Sequence, residues 1–103
     1  MWTALLFGEV NCGSKEISIQ ITHIEANGFQ SLHSHPEDQC YYILEGSGIM
    51  HIDDEENIVA AGNAVFIPGK SIHGIRNHGK VQLSYLTANT SFGIAREQEI
   101  WKH

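Results

Sequence analysis

Residues 15 to 25, KEISIQITHIE, alternate with a period of two: Ile17, Ile19, Ile21 and His23 fall on one face, and Ser18, Gln20 and Thr22 on the other. That period predicts a half-buried strand with the isoleucine face turned inward. Turn signals then recur at short intervals, at Asn27-Gly28, Gly46-Ser47-Gly48, Asp53 to Glu56, Gly62-Asn63, Pro68-Gly69 and His78-Gly79. Between them lie CYYIL, GIMHI, NIVA, AVFI, IHGIR and VQLSYLT, each short and rich in branched or aromatic residues. Short strands at this spacing predict an all-β sandwich or barrel. No repeat or linker divides the pattern, so residues 1–103 are expected to form one domain with its core over about 15–90. The ends depart from the pattern. FGIAREQEIWKH (92 to 103) suits a short helix or an added strand, and Trp2, Phe7 and Trp101 suit segments that cover the sheet edges of their own subunit or of a partner, although scattered surface aromatics need no explanation.

Composition narrows the function classes. A hydrophobic fraction of 42% and a charged fraction of 17% are those of a folded globular protein. Lys and Arg total only six against twelve acids, and they are scattered, so no basic stripe exists to neutralise a phosphate backbone and nucleic acid is not an expected partner. Cys12 and Cys40 form no CxxC pair and are too few for a disulfide framework, which favours reduced thiols inside the cell. The opening MWTALLF lacks a basic flank and a full-length apolar region, and nothing later reaches the roughly 18 apolar residues of a membrane span. A cytoplasmic protein with no membrane partner is expected.

The candidate chemistry lies in the histidines. Residues at i and i+2 of a strand project to one face, so His33 and His35 of HSHPEDQCYYILEG can aim two imidazoles at a single point. By itself an HxH pair is weak, since two histidines on a solvated strand arise easily. If Pro36 to Asp38 make a turn, Gln39, Tyr41 and Ile43 share a face whose parity allows it to be that of the histidines, and a third donor becomes available. About thirty residues on, GNAVFIPGKSIHGIRN reads as strand, Pro-Gly turn, strand, with His73, Ile75 and Asn77 on one side of the second strand.

Two stretches together resemble the paired motifs of the cupins. Gly28, His33, His35, position 39 and Gly46 fall in the register of the first motif, and Gly62, Pro68, His73 and Asn77 in that of the second. The resemblance implies a double-stranded β-helix, a jelly-roll-like barrel, holding one divalent transition metal such as Zn, Ni, Fe or Mn on His33, His35, the residue at 39 and His73. It further implies a homodimer with a small-molecule ligand at the barrel mouth.

The chain departs from the family pattern at two positions. Gln39 stands where a glutamate is usual, and Lys70 where a glycine is usual, with Gly69 one place earlier. A neutral amide leaves the positive charge of a metal uncompensated, which favours an anionic ligand and a Lewis-acid role. Glu37 is the rival donor, with the right parity only if the turn is short. The expected function is therefore a metal-assisted isomerisation, elimination or ring closure of a small sugar or organic acid. A non-haem dioxygenase and a non-enzymatic ligand-binding or sensor protein are the alternatives.

Tyr41 can serve as a general acid beside the metal or as a core aromatic with a satisfied hydroxyl. His23 is an interior imidazole or a hydrogen-bonded rim residue, while His51, His78 and the terminal His103 are poor ligand candidates. Cys40 is expected to pack between sheets, Arg76 to lie at the surface, and Asp53 to Glu56 to form a solvated hairpin turn.

Overall fold

A computed structural model describes residues 1–7 and 17–89, with the side chain of Phe7 excepted. The tail from 92 to 103, Trp101, Cys12 and His103 lie outside the described residues. Among the described residues nine antiparallel strands make two sheets. The five-stranded sheet runs β1 (Trp2–Phe7), β2 (Ser18–Ile24), β9 (Leu83–Asn89), β4 (Gln39–Glu45), β7 (Ala64–Ile67). The four-stranded sheet runs β3 (Phe29–His33), β8 (His73–Arg76), β5 (Ser47–Ile52), β6 (Glu55–Ala60). The expected all-β jelly-roll architecture is present; the turn predicted over Asp53 to Glu56 narrows to Asp53 and Asp54, with Glu55 and Glu56 opening β6, and β1 is a strand the alternation did not predict. Among the described residues no helix is long and apolar enough to cross a membrane.

Consecutive strands β4 and β5 belong to different sheets, so the chain must turn sharply between them. Gly46 makes that turn at φ 79°, and a Cβ there would collide with the Gln82 carbonyl oxygen, which leaves glycine as the residue that fits. The sheets close over a core of Ile24, Ile43, Met50, Ile67, Ile75 and Leu83, joined by Tyr41 stacked on Tyr85 with ring centroids 4.5 Å apart.

Strand β2 is reversed with respect to its predicted orientation. Ser18, Gln20, Thr22 and Ile24 are buried, whereas Ile19, Ile21 and His23 are only partly covered and Ile17 is exposed. The reason is register. Gln20 pairs with Thr87, which pairs with Tyr41, and Ser18 pairs with Asn89, which pairs with Gln39, so two inward rows are polar. Ser18 Oγ donates to Asn89 Oδ1 at 2.8 Å, and the hydroxyls of Thr22 and Thr3 share a bond of 2.8 Å. Inward polar groups with partners are compatible with burial. The isoleucines face outward in rows with Ala88 and Cys40 and with Leu86 and Tyr42. Cys40 is accordingly exposed on the outer face and does not pack between the sheets.

Candidate metal centre

The three histidines of the two sequence motifs meet inside the barrel. His33 ends β3, His73 opens β8, and the two are register partners. Each of His33, His35 and His73 offers one ring nitrogen to a cluster within 4.8 Å. Ring centroids are 4.3 Å apart for His33 and His73, and 5.1 Å for His35 and His73. The spacing alone puts His33 and His35 at i and i+2 of one strand; in the structure β3 ends at His33. His35 lies beyond β3, in the bend leading to Pro36 and Glu37. The i, i+2 rule is replaced by that bend, which is held against the second motif.

Three contacts hold it there. Lys70 N–H donates to the His35 carbonyl at 2.6 Å, and Gly69 N–H donates to Asp38 Oδ1 at 2.7 Å. A Cβ on Gly69 would strike the Pro36 carbonyl oxygen, so the close approach requires glycine there. Lys70 then takes the left-handed φ of 71° that the family's glycine would adopt at no steric cost.

Backbone carbonyls fix the tautomer of all three rings. Nδ1 of His33 donates to the Ser31 carbonyl at 2.8 Å, Nδ1 of His35 to the Glu37 carbonyl at 3.0 Å, and Nδ1 of His73 to the Ser71 carbonyl at 3.1 Å. A carbonyl only accepts, so each Nδ1 carries its proton and each neutral ring presents the Nε2 lone pair. Nε2 of His33 and His73 is buried with no hydrogen-bond partner among the described residues. Burial pushes the His73 imidazole down to about 4, helped by His33 beside it, and lowers His33 below its ordinary value for the same first reason. Both are neutral near pH 7, the form in which imidazole binds metal.

Gln39 begins β4 on the inward row opposite Asn89 and Ile67, and it is 2% exposed with Oε1 unpartnered among the described residues. Glu37 is buried too, so the turn is short enough to give it inward parity, yet its carboxylate is not part of the three-histidine cluster. Tyr41 points inward with its ring 6.5 Å from that of His73, and its hydroxyl donates to Gln30 Oε1 at 3.0 Å. His23 faces out, bonded through Nδ1 to Ser84 Oγ at 2.7 Å and packed 4.1 Å from the Trp2 ring. His51 and Arg76 lie on the outer face of the other sheet, near Glu56.

Two supporting residues were missed by sequence reasoning. Asp53, read only as part of a solvated turn, donates its N–H to the Ile72 carbonyl at 2.7 Å and accepts the Ile72 N–H on Oδ1 at 2.9 Å. It clamps the residue next to His73. Asp38 likewise ties the two motifs together. Neither has a local signature, since both act across turns distant in sequence.

Comparison with known proteins agrees with this fold. The Cupin_2 model of the cupin domain matches residues 20–89. Dimethylsulfoniopropionate lyase DddW of Ruegeria pomeroyi is 38% identical over 61 residues, 58% of this chain and 40% of that protein. An oxalate-binding protein of Thermotoga maritima is 36% identical over 56 residues, 53% of this chain and 46% of that one. The chain thus spans less than half the length of these curated relatives. The crystal structure of a predicted oxalate decarboxylase from Thermotoga maritima superposes with a TM-score of 0.78 at 26% identity, covering 85% of this chain and 77% of that one.

Proposed function

The chain belongs to the cupin family, and from that premise we propose that it binds one divalent transition metal and acts on a small oxygenated metabolite, a sugar or an organic acid. The observation that carries this reading is the convergence of His33, His35 and His73 with every Nδ1 bonded to a backbone carbonyl. Three rings locked in one tautomer meet the requirement that ligands be oriented before the metal arrives. His33, His35 and His73 would hold the ion, with Gln39 Oε1 as fourth donor; imidazole suits Zn, Ni, Fe or Mn. A cation held there supplies Lewis acidity toward a carbonyl or enediolate oxygen, as isomerisation, elimination or ring closure requires. Tyr41 is the candidate proton donor, with its hydroxyl hydrogen held on Gln30 Oε1.

Elemental analysis of protein purified without a histidine tag, beside His33→Ala and His73→Ala, tests the site. About one metal per chain in the parent protein and loss in both variants with the fold retained is the expected outcome, and retention in both overturns it. A screen of oxygenated acids and sugars under air and under nitrogen then tests the chemistry; product formed only with oxygen uptake would place the protein among dioxygenases instead. The name of the oxalate-binding relative favours a second reading, saturable binding without turnover. Binding with no product at long incubation selects it.

The assembly is read from the outer face of the five-stranded sheet. Phe66, Tyr42 and Trp2 are 61%, 46% and 57% exposed, and the rows between them, Ile19–Ala88–Cys40 and Ala4–Ile21–Leu86, contain no charged residue. A second copy of this chain is the occupant this face fits.

A further inference from the structure

Strands β6 and β7 are edges of different sheets, although they follow one another in the chain. Residues 61–63 turn between them, held by Asn63 Oδ1, which accepts the Ala60 N–H at 2.8 Å, and by Gly62 N–H, which donates to the Ile43 carbonyl at 2.8 Å. Away from that turn the two strands part. Pairing with β5 sets Val59, Asn57 and Glu55 opposite Gly48, Met50 and Ile52, which puts all three on the inner face of β6. Only Val59 is buried, whereas Asn57 and Glu55 are exposed. The far half of β6 is therefore uncovered among the described residues, and a cleft of about 420 Å³ opens there between the sheets. Met50, Ile52, Val59, Val65 and Pro68 wall it, with Asn57 and a single charged residue, Glu55, at its lip. Ile52 and Val65 pack directly against the core.

The cleft leads to the histidines. Ile52 is the register partner of His73, so their side chains stand next to each other on the inner face of the four-stranded sheet. Pro68 follows Ile67, the register partner of Gln39 in the other sheet. The wide end of the wedge thus lies between the strand pair that carries His73 and the pair that carries Gln39. Its narrow end, toward Val59 and Val65, is apolar.

We infer that the β6–β7 cleft is a subsite for an apolar chain, and that the acid taken at the histidine centre is a 2-oxo or 2-hydroxy monocarboxylate with an aliphatic tail. The inference rests on the metal reading above and chooses among the substrates which that reading allows. A sugar laid along these walls would turn its hydroxyls toward Met50, Ile52 and Val65, which offer no hydrogen bond in exchange for water. Aliphatic carbon loses nothing there and leaves water. Glu55 sets the direction of binding, because a carboxylate at the lip of the cleft meets a like charge, and the acid end is left for the histidines.

Calorimetric titration of the Ni²⁺-loaded protein with pyruvate, 2-oxooctanoate, gluconate and 2-oxoadipate is the test, with nickel content measured on each sample. The parent protein is expected to bind 2-oxooctanoate at least tenfold more tightly than pyruvate or gluconate. One buried methylene is worth about fourfold, so burial of about two suffices. Val65→Phe fills the cleft and should hold pyruvate as the parent does while losing the preference for the longer chain. Glu55→Gln alters an exposed position, should leave that preference intact, and should tighten 2-oxoadipate about threefold at low salt. Equal affinity of the nickel-loaded parent for pyruvate and 2-oxooctanoate, a preference that survives Val65→Phe, or no binding of any of the four, overturns the cleft while leaving the metal centre standing. Unchanged 2-oxoadipate affinity in Glu55→Gln overturns the role of Glu55 in direction. A parent protein that takes up no nickel overturns the metal reading and the subsite with it.

Discussion

His73 is the most constrained residue of the centre: 1% exposed, clamped through its neighbour Ile72 by Asp53, and held by its own Nδ1 on the Ser71 carbonyl. Below pH 6.5 the unfolded chain takes up a proton at this position, while the fold refuses it until about pH 4. The unfolding free energy of the metal-free protein therefore falls as the pH drops through that window and levels off beneath it, by roughly 3 kcal/mol for this residue. His33 pulls in the same direction. Urea unfolding at pH 7 and pH 4.5 should show the loss in the parent protein and a visibly smaller one in His73→Asn; equal losses would remove His73 as the cause. At position 39, replacing the amide by carboxylate should raise metal affinity roughly tenfold or more, because a charged oxygen offsets the ion where water cannot. Competition with a chelator measures it for Gln39→Glu, and an unchanged affinity would place Gln39 outside the ligand set.

At the scale of the element, the centre depends on turns more than on strands. Asp53 sits at the tip of the β5–β6 hairpin, 20 positions before His73 in sequence yet paired with Ile72 through both backbone and side chain. Removing the carboxylate in Asp53→Ala should cost roughly 10- to 100-fold in metal affinity with little change in fold, the range seen when an orienting partner of a ligand is lost. Asp53→Asn keeps an acceptor for the Ile72 N–H and should recover most of it; loss in both alike would mean that charge, not positioning, is what Asp53 supplies. The same dependence on turns explains what the sequence leaves illegible. Strand positions and the two motifs could be read, because turn residues and apolar runs are local. Which side of β2 faces inward could not, since a period of two carries no sign and the isoleucines suggested the wrong one. Gln30 and His33 both face the interior although three residues apart, because the β3–β8 register shifts between them. Such an irregularity breaks the parity on which strand reasoning relies.

For the whole molecule, an interior carrying the polar rows of β2, β9 and β4 forces their apolar alternates outward, so the price of a polar cavity is an apolar exterior. The two sheets differ in how they present it. The four-stranded sheet bears a groove of about 640 Å³ beside Phe29, Leu32 and Ile49, but Glu56, His51 and Arg76 line it as well. On the outer face of the five-stranded sheet the rows Ile19–Ala88–Cys40–Phe66 and Ala4–Ile21–Leu86–Tyr42 have no such charges, which there are confined to His23 and Glu45 in the adjoining row of Trp2. Five strands at about 4.8 Å spacing make a patch of several hundred Å², of the order that a dimer of standard size needs from each partner. With a net charge of −6 on each copy, association is favoured where no charges meet. Light scattering behind size exclusion should therefore report twice the monomer mass at tens of micromolar, and a dimer that tightens as salt screens the like charges of the two copies. Tyr42→Glu with Phe66→Lys puts charges into exposed positions of that face and should give a monomer with its metal retained. A parent protein that is monomeric, or a variant that stays dimeric, would show that another part of the chain covers these rows or that the pairing uses a different surface.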